Sequence, residues 1–163
     1  MAKESLRILA VNPGTRYLGV AVFYGADLRD WGVKTMAKNF HRSNVAPALT
    51  TISKLIRTHQ INCLTLKTLH PSRSSAQLRS LVESVKQLAR ERKVSIREYS
   101  IDGMKRLLIH GRKKNKKELM ESVAGQYPFL IPELKQENSH KNSYLVRMFE
   151  AVALGMVCSN ELE

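Results

Sequence analysis

The sequence predicts an α/β domain in which a mixed five-stranded sheet carries helices on both faces. Two patterns predict it. Three strand-like segments precede the first amphipathic helix, and helices and strands alternate from there to the end of the chain. The 163 residues suit one hydrophobic core over 1–163, and with 43% hydrophobic residues that core can be sizeable, which excludes general disorder.

Leu6 to Val11 is a nearly continuous apolar run, the signature of a strand buried on both faces. Asn12-Pro13-Gly14-Thr15 supplies turn chemistry, with Pro fixing φ and Gly admitting a left-handed conformation. Tyr17 to Tyr24 resumes as a second strand, so the pair reads as a hairpin. Leu28 to Thr35, with the only tryptophan, Trp31, reads as a third. Val45, Ala48, Leu49, Ile52, Leu55 and Ile56 share one face of a helix from about Ser43 to Thr58. Ile61 to Leu69 is a strand bounded by His70-Pro71. Ser74 or Ser75 caps a long helix with the stripe Leu78, Leu81, Val82, Val85 and Leu88. Val94 to Tyr99 is the fifth strand. A short helix near Asp102–Ile109 follows, then a basic loop and a helix opened by Asn115 with Glu118 as its capping-box partner. The last helix starts near Asn142 or Ser143 and buries Leu145, Met148, Phe149, Val152, Ala153 and Met156.

Charge narrows the partner. Twenty-seven Lys and Arg face 14 Asp and Glu, a formal net charge of +13. Such an excess points to a polyanion, nucleic acid before an acidic membrane surface. No apolar run approaches the ~20 residues that span a bilayer, so no membrane partner is expected. Met1-Ala2-Lys3-Glu4-Ser5 has no signal-peptide form. Cys63 and Cys158 sit in apolar stretches and read as reduced core residues, neither a disulfide framework nor a zinc site, so a cytoplasmic location is expected.

Three segments carry a family resemblance. Ile8 to Ala21 resembles the opening strand and hairpin of the RuvC Holliday-junction resolvases, and the related YqgF family opens in a similar way. In both, an aspartate ends the first strand and a Gly-containing turn follows. Tyr99, Lys105, Gly111 and Lys116 fall at or within one residue of the spacings in the RuvC segment after the fifth strand. Glu150-Ala151-Val152-Ala153-Leu154 is similar to the Asp-Ala-Leu-Ala helix that closes that family's active site. The resemblance covers most of the chain, in order, and implies an RNase H-like fold with three antiparallel strands followed by parallel ones. It also implies a homodimer and favours DNA over RNA, although the charge alone fits both.

The family's chemistry does not carry over whole. RuvC-like nucleases use four carboxylates to hold divalent metal ions that activate water and stabilise the leaving oxygen. The matching positions here are Asn12, Lys67 (Thr65 if the strand register slips), Arg147 and Glu150. Four carboxylates would carry −4, whereas these four side chains carry a net +1. At ~4 Å and a surface-like dielectric, each cation facing the metal costs about 4 kcal/mol. A family-type two-metal site is therefore not expected, and neither is any resident cofactor. Lys67 and Arg147 beside Glu150 would instead take the metal's electrostatic place and turn a metal site into a phosphate site.

Other candidates line the same groove. Lys67, His70 and Arg73, with Ser72 and Ser74, leave a strand and enter a helix, where α/β proteins place anion sites; an ordinary capped turn would read the same. His70 suits a general base by its intrinsic pKa, but no second histidine is tied to it: His110 and His140 lie in separate loops, and His41 and His59 read as surface residues. Seven of the thirteen residues from Lys105 to Lys117 are basic and none is acidic. Most charge runs are solvated faces, but Leu107, Leu108 and Ile109 hold this one against the core. Tyr17, Tyr99 and Tyr144 could stack on bases, though core or rim packing is the commoner use of such residues.

The expected function is phosphate-dominated binding of nucleic acid in a groove lined by Arg16, Lys67, His70, Arg73, Lys105, Arg112, Lys113, Lys114, Lys116 and Arg147, with metal-dependent cleavage lost. The main alternative is an active structure-selective endonuclease using Glu150, Asn12 and His70, with Mg²⁺ or Mn²⁺ as its metal. A third is a protein-binding adaptor, for which reversing Lys113, Lys114 and Lys116 would leave nucleic-acid affinity unchanged.

Overall fold

A computed structural model describes residues 5–14, 16–36, 45–70, 72–140 and 144–162, with only the backbone of 138–140. The expected helix start at Ser43, the last-helix start at Asn142 or Ser143, the turn residues Thr15 and Pro71, and His41 lie outside the described residues, as does the His140 side chain.

The chain forms one five-stranded sheet in the order β3-β2-β1-β4-β5, from β1 (Arg7–Asn12), β2 (Tyr17–Tyr24), β3 (Asp27–Thr35), β4 (Cys63–Lys67) and β5 (Ser95–Tyr99). The first three strands are antiparallel neighbours; β4 runs parallel to β1, and β5 parallel to β4. This is the mixed sheet expected from the sequence. Its central strand is β1, which explains the unbroken apolar run. Leu9 and Val11 face α1 (Ala46–His59) and α2 (Ala76–Glu91), packing with Ile52, Ile56, Leu81 and Val85. Ile8 and Ala10 face the opposite layer, with Phe23, Phe149 and Val152.

That second layer holds α3 (Ile101–Leu108), α4 (Lys116–Gln126), α5 (Ile131–His140) and α6 (Tyr144–Leu162). The last of these is the pivot of the fold. Every residue of α6 from Met148 to Ser159 is buried, because the helix lies on β1, β2 and β3 while α3, α4 and α5 pack around it. Two glycines set how close it comes. A Cβ at Gly19 would overlap the carbonyl of Arg147, and a Cβ at Gly155 would overlap the Phe23 ring. Gly19 pairs with Asn12 in the β1–β2 ladder, so the closest approach lies at the end of β1.

The caps follow the sequence. Ser75, not Ser74, caps α2 by accepting from Leu78 N–H, and Asn115 caps α4 by accepting from Glu118 N–H. The 3₁₀ turn Pro128–Leu130 and helix α5 are additions to the expected elements. Cys63 and Cys158 are buried free thiols, 3.7 Å apart between β4 and α6.

Candidate cation cluster and nucleic-acid interface

Strand alternation decides which side chains reach α6. Ile8, Ala10 and Asn12 project to its side of β1, and Cys63, Thr65 and Lys67 to its side of β4. The parallel register Val11↔Leu66 brings the C-terminal ends of the two strands together. On α6, Arg147 and Glu150 are one helical turn apart and share a face.

Glu150 is the centre of the arrangement, with its side chain only 3% exposed. Its Oε2 accepts from Lys67 Nζ at 2.8 Å and from Asn12 Nδ2 at 2.8 Å. Its Oε1 faces Lys116 Nζ at 3.3 Å, an ion pair without hydrogen-bonding geometry. Asn12 also donates to the Arg147 carbonyl at 3.3 Å, tying β1 to α6. The cations differ in exposure: Lys67 is 25% exposed and Lys116 58%. Both reach the carboxylate from positions fixed by secondary structure, Lys67 as the last residue of β4 and Lys116 as the first of α4, next to the Asn115 cap.

Arg147 takes a different seat. Its guanidinium lies over Gly14, where a Cβ would overlap both Arg147 Nη1 and the Tyr17 carbonyl. Gly14 does not have a positive φ, so the left-handed turn expected from the sequence is replaced by another cause. Glycine is there because the arginine occupies the side-chain space. Arg147 makes no ion pair among the described residues, and its buried Nε has no hydrogen-bonding partner; the same holds for Asn12 Oδ1 and Thr65 Oγ1. Thr65 is fully buried beside Ala10, and Lys67 is the β4 side chain that reaches Glu150.

Charge fixes the protonation of Glu150. Burial alone would push its carboxyl up, but the Lys67 ammonium, by charge and hydrogen bond, and then Lys116 outweigh it and hold the carboxyl below the usual 4.5. The unfolded chain therefore takes up this proton at higher pH than the folded one. The ionised carboxylate stabilises the fold above about pH 4.5, and that contribution is lost as pH falls through the folded value. Urea-unfolding free energies of wild type and Glu150→Gln, measured from about pH 7 down to about pH 3, are expected to converge on acidification. A constant gap across the range would contradict this.

The donor set does not fit a divalent metal ion. Magnesium requires near-octahedral oxygen coordination, usually with one or two free carboxylates. Here the cluster's carboxylate is engaged by two ammonium groups and an amide, and no group of three His, Cys, Asp or Glu side chains that could hold a metal occurs among the described residues.

The remaining candidates spread outward from the cluster. Arg16 is exposed at the entrance to β2, and its guanidinium lies 5.6 Å from the Tyr17 ring. His70 and Arg73 are exposed after β4. His70 Nδ1 accepts from the Ser72 N–H at 3.2 Å and lies 2.9 Å from its hydroxyl, so this nitrogen is committed to the local turn. Lys105 is half-buried on α3, while Arg112, Lys113 and Lys114 are exposed before α4. Two residues passed over in the sequence also lie near Lys67. Arg79 and Lys86 line a cavity of about 330 Å³ together with Lys67, Thr68 and Ser74. Arg79 donates to the Ser74 carbonyl, and Lys86 is neutralised by Glu98 at 2.5 Å. The helical spacing of Arg79 from the Ser75 cap was the available signal for the first.

Of the two uses weighed for Tyr99, rim packing is the one seen: burial and a hydrogen bond to Glu161 at 2.7 Å raise its phenol above the usual value, and the bond ties the ring to the last turn of α6, away from Glu150. One expectation changes: His59 is half-buried, bonded to the Tyr24 hydroxyl at 2.9 Å and 3.8 Å from Asp30, and is not a plain surface residue. No described helix is long and apolar enough to cross a membrane.

No protein-family model matches the chain, and no curated protein matches it. Solved structures do. Thermus thermophilus RuvC in complex with a Holliday-junction substrate superposes with a TM-score of 0.69 at 15% identity, covering 93% of this chain and 90% of that one. Another T. thermophilus RuvC structure gives 0.69 at 16%, covering 93% and 92%. The fowlpox virus resolvase bound to Holliday-junction DNA gives 0.60 at 11%, covering 96% and 99%. The chain has an RNase H-like fold of the kind these resolvases share.

Proposed function

We propose that this protein binds nucleic acid through backbone phosphates in a basic groove at the C-terminal ends of β1 and β4, and that fixed cations there replace the metal ions of a cleaving enzyme. One observation carries the reading. Glu150, the cluster's buried carboxylate, is already engaged by Lys67 and Lys116, which leaves Arg147 and the exposed part of Lys116 as surplus positive charge. A phosphate fits such a surplus and a divalent cation is repelled by it. The groove extends through Arg16, His70, Arg73, Lys105 and Arg112 to Lys114. The likeness to resolvases solved on Holliday-junction DNA makes branched DNA the first partner to test, ahead of RNA. A homodimer, which the sequence resemblance implies, is part of the same proposal.

Binding and cleavage should be measured together on four-way junctions, linear duplex and RNA with Mg²⁺ and Mn²⁺. The expected result is salt-sensitive binding, unaffected by removal of the divalent ion, with no cleavage. Metal-dependent cleavage abolished by Glu150→Ala would establish the endonuclease alternative. Affinity unchanged on reversing Lys113, Lys114 and Lys116 would favour a protein-binding adaptor.

A further inference from the structure

The cavity of about 330 Å³ lies between α2 and the C-terminal ends of β4 and β5. Open α/β sheets bind their ligands in crevices outside the carboxyl ends of the strands. Its walls are of two kinds. Buried Val82 and half-buried Leu69 are apolar. The rest carries both signs of charge, already paired. Lys86 Nζ lies 2.5 Å from Glu98 and 3.9 Å from Glu83, and the Arg79 guanidinium donates to the Ser74 carbonyl. An ammonium carries three donors and a carboxylate two acceptor oxygens, so the Lys86–Glu98 pair leaves donors and an acceptor side by side for a ligand. Lys67 lines the cavity and also holds Glu150, so the cavity adjoins the phosphate groove.

The two kinds of wall decide what fits. A phosphate would meet the carboxylates of Glu83 and Glu98. A purely apolar group would strand the ion pair away from water. A nucleobase satisfies both walls, because its faces are apolar and its edge carries donors beside acceptors. The volume is at the low end of the roughly 300–1,000 Å³ of small-molecule sites, enough for one base and not for a base pair. A base in a continuous duplex reaches such a cavity only by leaving the stack, and that step costs least for a base that is already unpaired. We propose that this cavity takes one extruded base from a strand whose phosphates lie in the groove, with Val82 and Leu69 against its faces and Lys86 and Glu98 at its edge. The proposal rests on the nucleic-acid reading above and specifies which feature of the nucleic acid is selected.

The test compares affinities for two labelled DNA duplexes by fluorescence anisotropy. One has a single bulged nucleotide, and the other has an abasic residue at the same bulge, with the same backbone and charge. Wild type is expected to bind the base-bearing bulge about 5- to 100-fold more tightly than the abasic one. Val82→Phe, which fills the cavity from α2, should bring the two duplexes within about twofold of each other while leaving affinity for the abasic bulge unchanged. Leu69→Phe fills it from the segment after β4 and should do the same, so the test survives if one variant folds poorly. Thermal melting of each variant identifies such a loss. Equal wild-type affinity for the two bulges overturns the cavity assignment alone, as would be seen if the cavity served a free nucleotide. A base preference that persists in both filled variants overturns it too. Wild-type protein that binds neither duplex ends the nucleic-acid reading as well.

Discussion

Lys67→Met should cost the protein about 3 kcal/mol of stability, and Lys67→Met/Glu150→Gln should recover most of that loss. Breaking a buried ion pair from one side typically costs about 3–5 kcal/mol, because the remaining charge is stranded, whereas replacing both partners is close to neutral. The lower end applies here for two reasons. Lys67 is a quarter exposed, and Lys116 still faces the other carboxylate oxygen. Glu150 itself cannot reach water, so the penalty does not vanish. Denaturant unfolding of the two single variants and the double variant gives the coupling directly. A carboxylate kept free for a metal ion would respond in the opposite sense. Removing a neighbouring cation would then relieve repulsion at the metal position, and stability in the presence of Mg²⁺ would rise.

The framework of the fold was legible because its strands and helices have different periods. A continuous apolar run marked β1 as central, and the 3.6-residue stripe of α2 with its Ser75 cap marked a surface helix. The stretch from Pro128 to His140 was not legible. Proline inside a helix breaks it, but Pro128 and Pro132 both fall in the first turn of their elements, where the missing N–H costs nothing. The amphipathic stripe of α5 is also too weak to announce a helix without its partners. His59 was misread for a different reason. Its bond to Tyr24 joins the end of α1 to the end of β2, a contact 35 residues apart that no local pattern records.

The cluster around Glu150 was legible in its membership more than in its wiring. Family spacing drew attention to Asn12, Lys67, Arg147 and Glu150, and the fold brings all four to one end of the sheet. The spacing placed Lys116 in the groove as a phosphate contact, whereas its ammonium also faces Glu150 across 34 positions of sequence. Gly14 is the plainest case of a correct residue with the wrong cause. As a turn residue it suggested backbone freedom, but its missing side chain is what admits Arg147. Steric exclusion by a distant helix leaves no mark on the local sequence.

The account turns on Glu150 as an internal counter-ion, and the variant Glu150→Gln isolates that role. Gln keeps the shape and can accept from Asn12 and Lys67, while the charge that competes with phosphate for Lys67 and Lys116 is gone. A unit charge at ~4 Å in a water-like dielectric is worth about 1 kcal/mol, roughly a fivefold change in affinity. One further cation released to the groove steepens the dependence of log K on log salt by about 0.9. The most direct test is therefore the affinity of wild type and Glu150→Gln for a four-way DNA junction, measured over a salt series in EDTA. Tighter binding by Glu150→Gln, with the steeper slope, is the predicted result. Binding that needs Mg²⁺ and weakens when Glu150 is replaced would contradict the account and make this carboxylate a metal ligand after all.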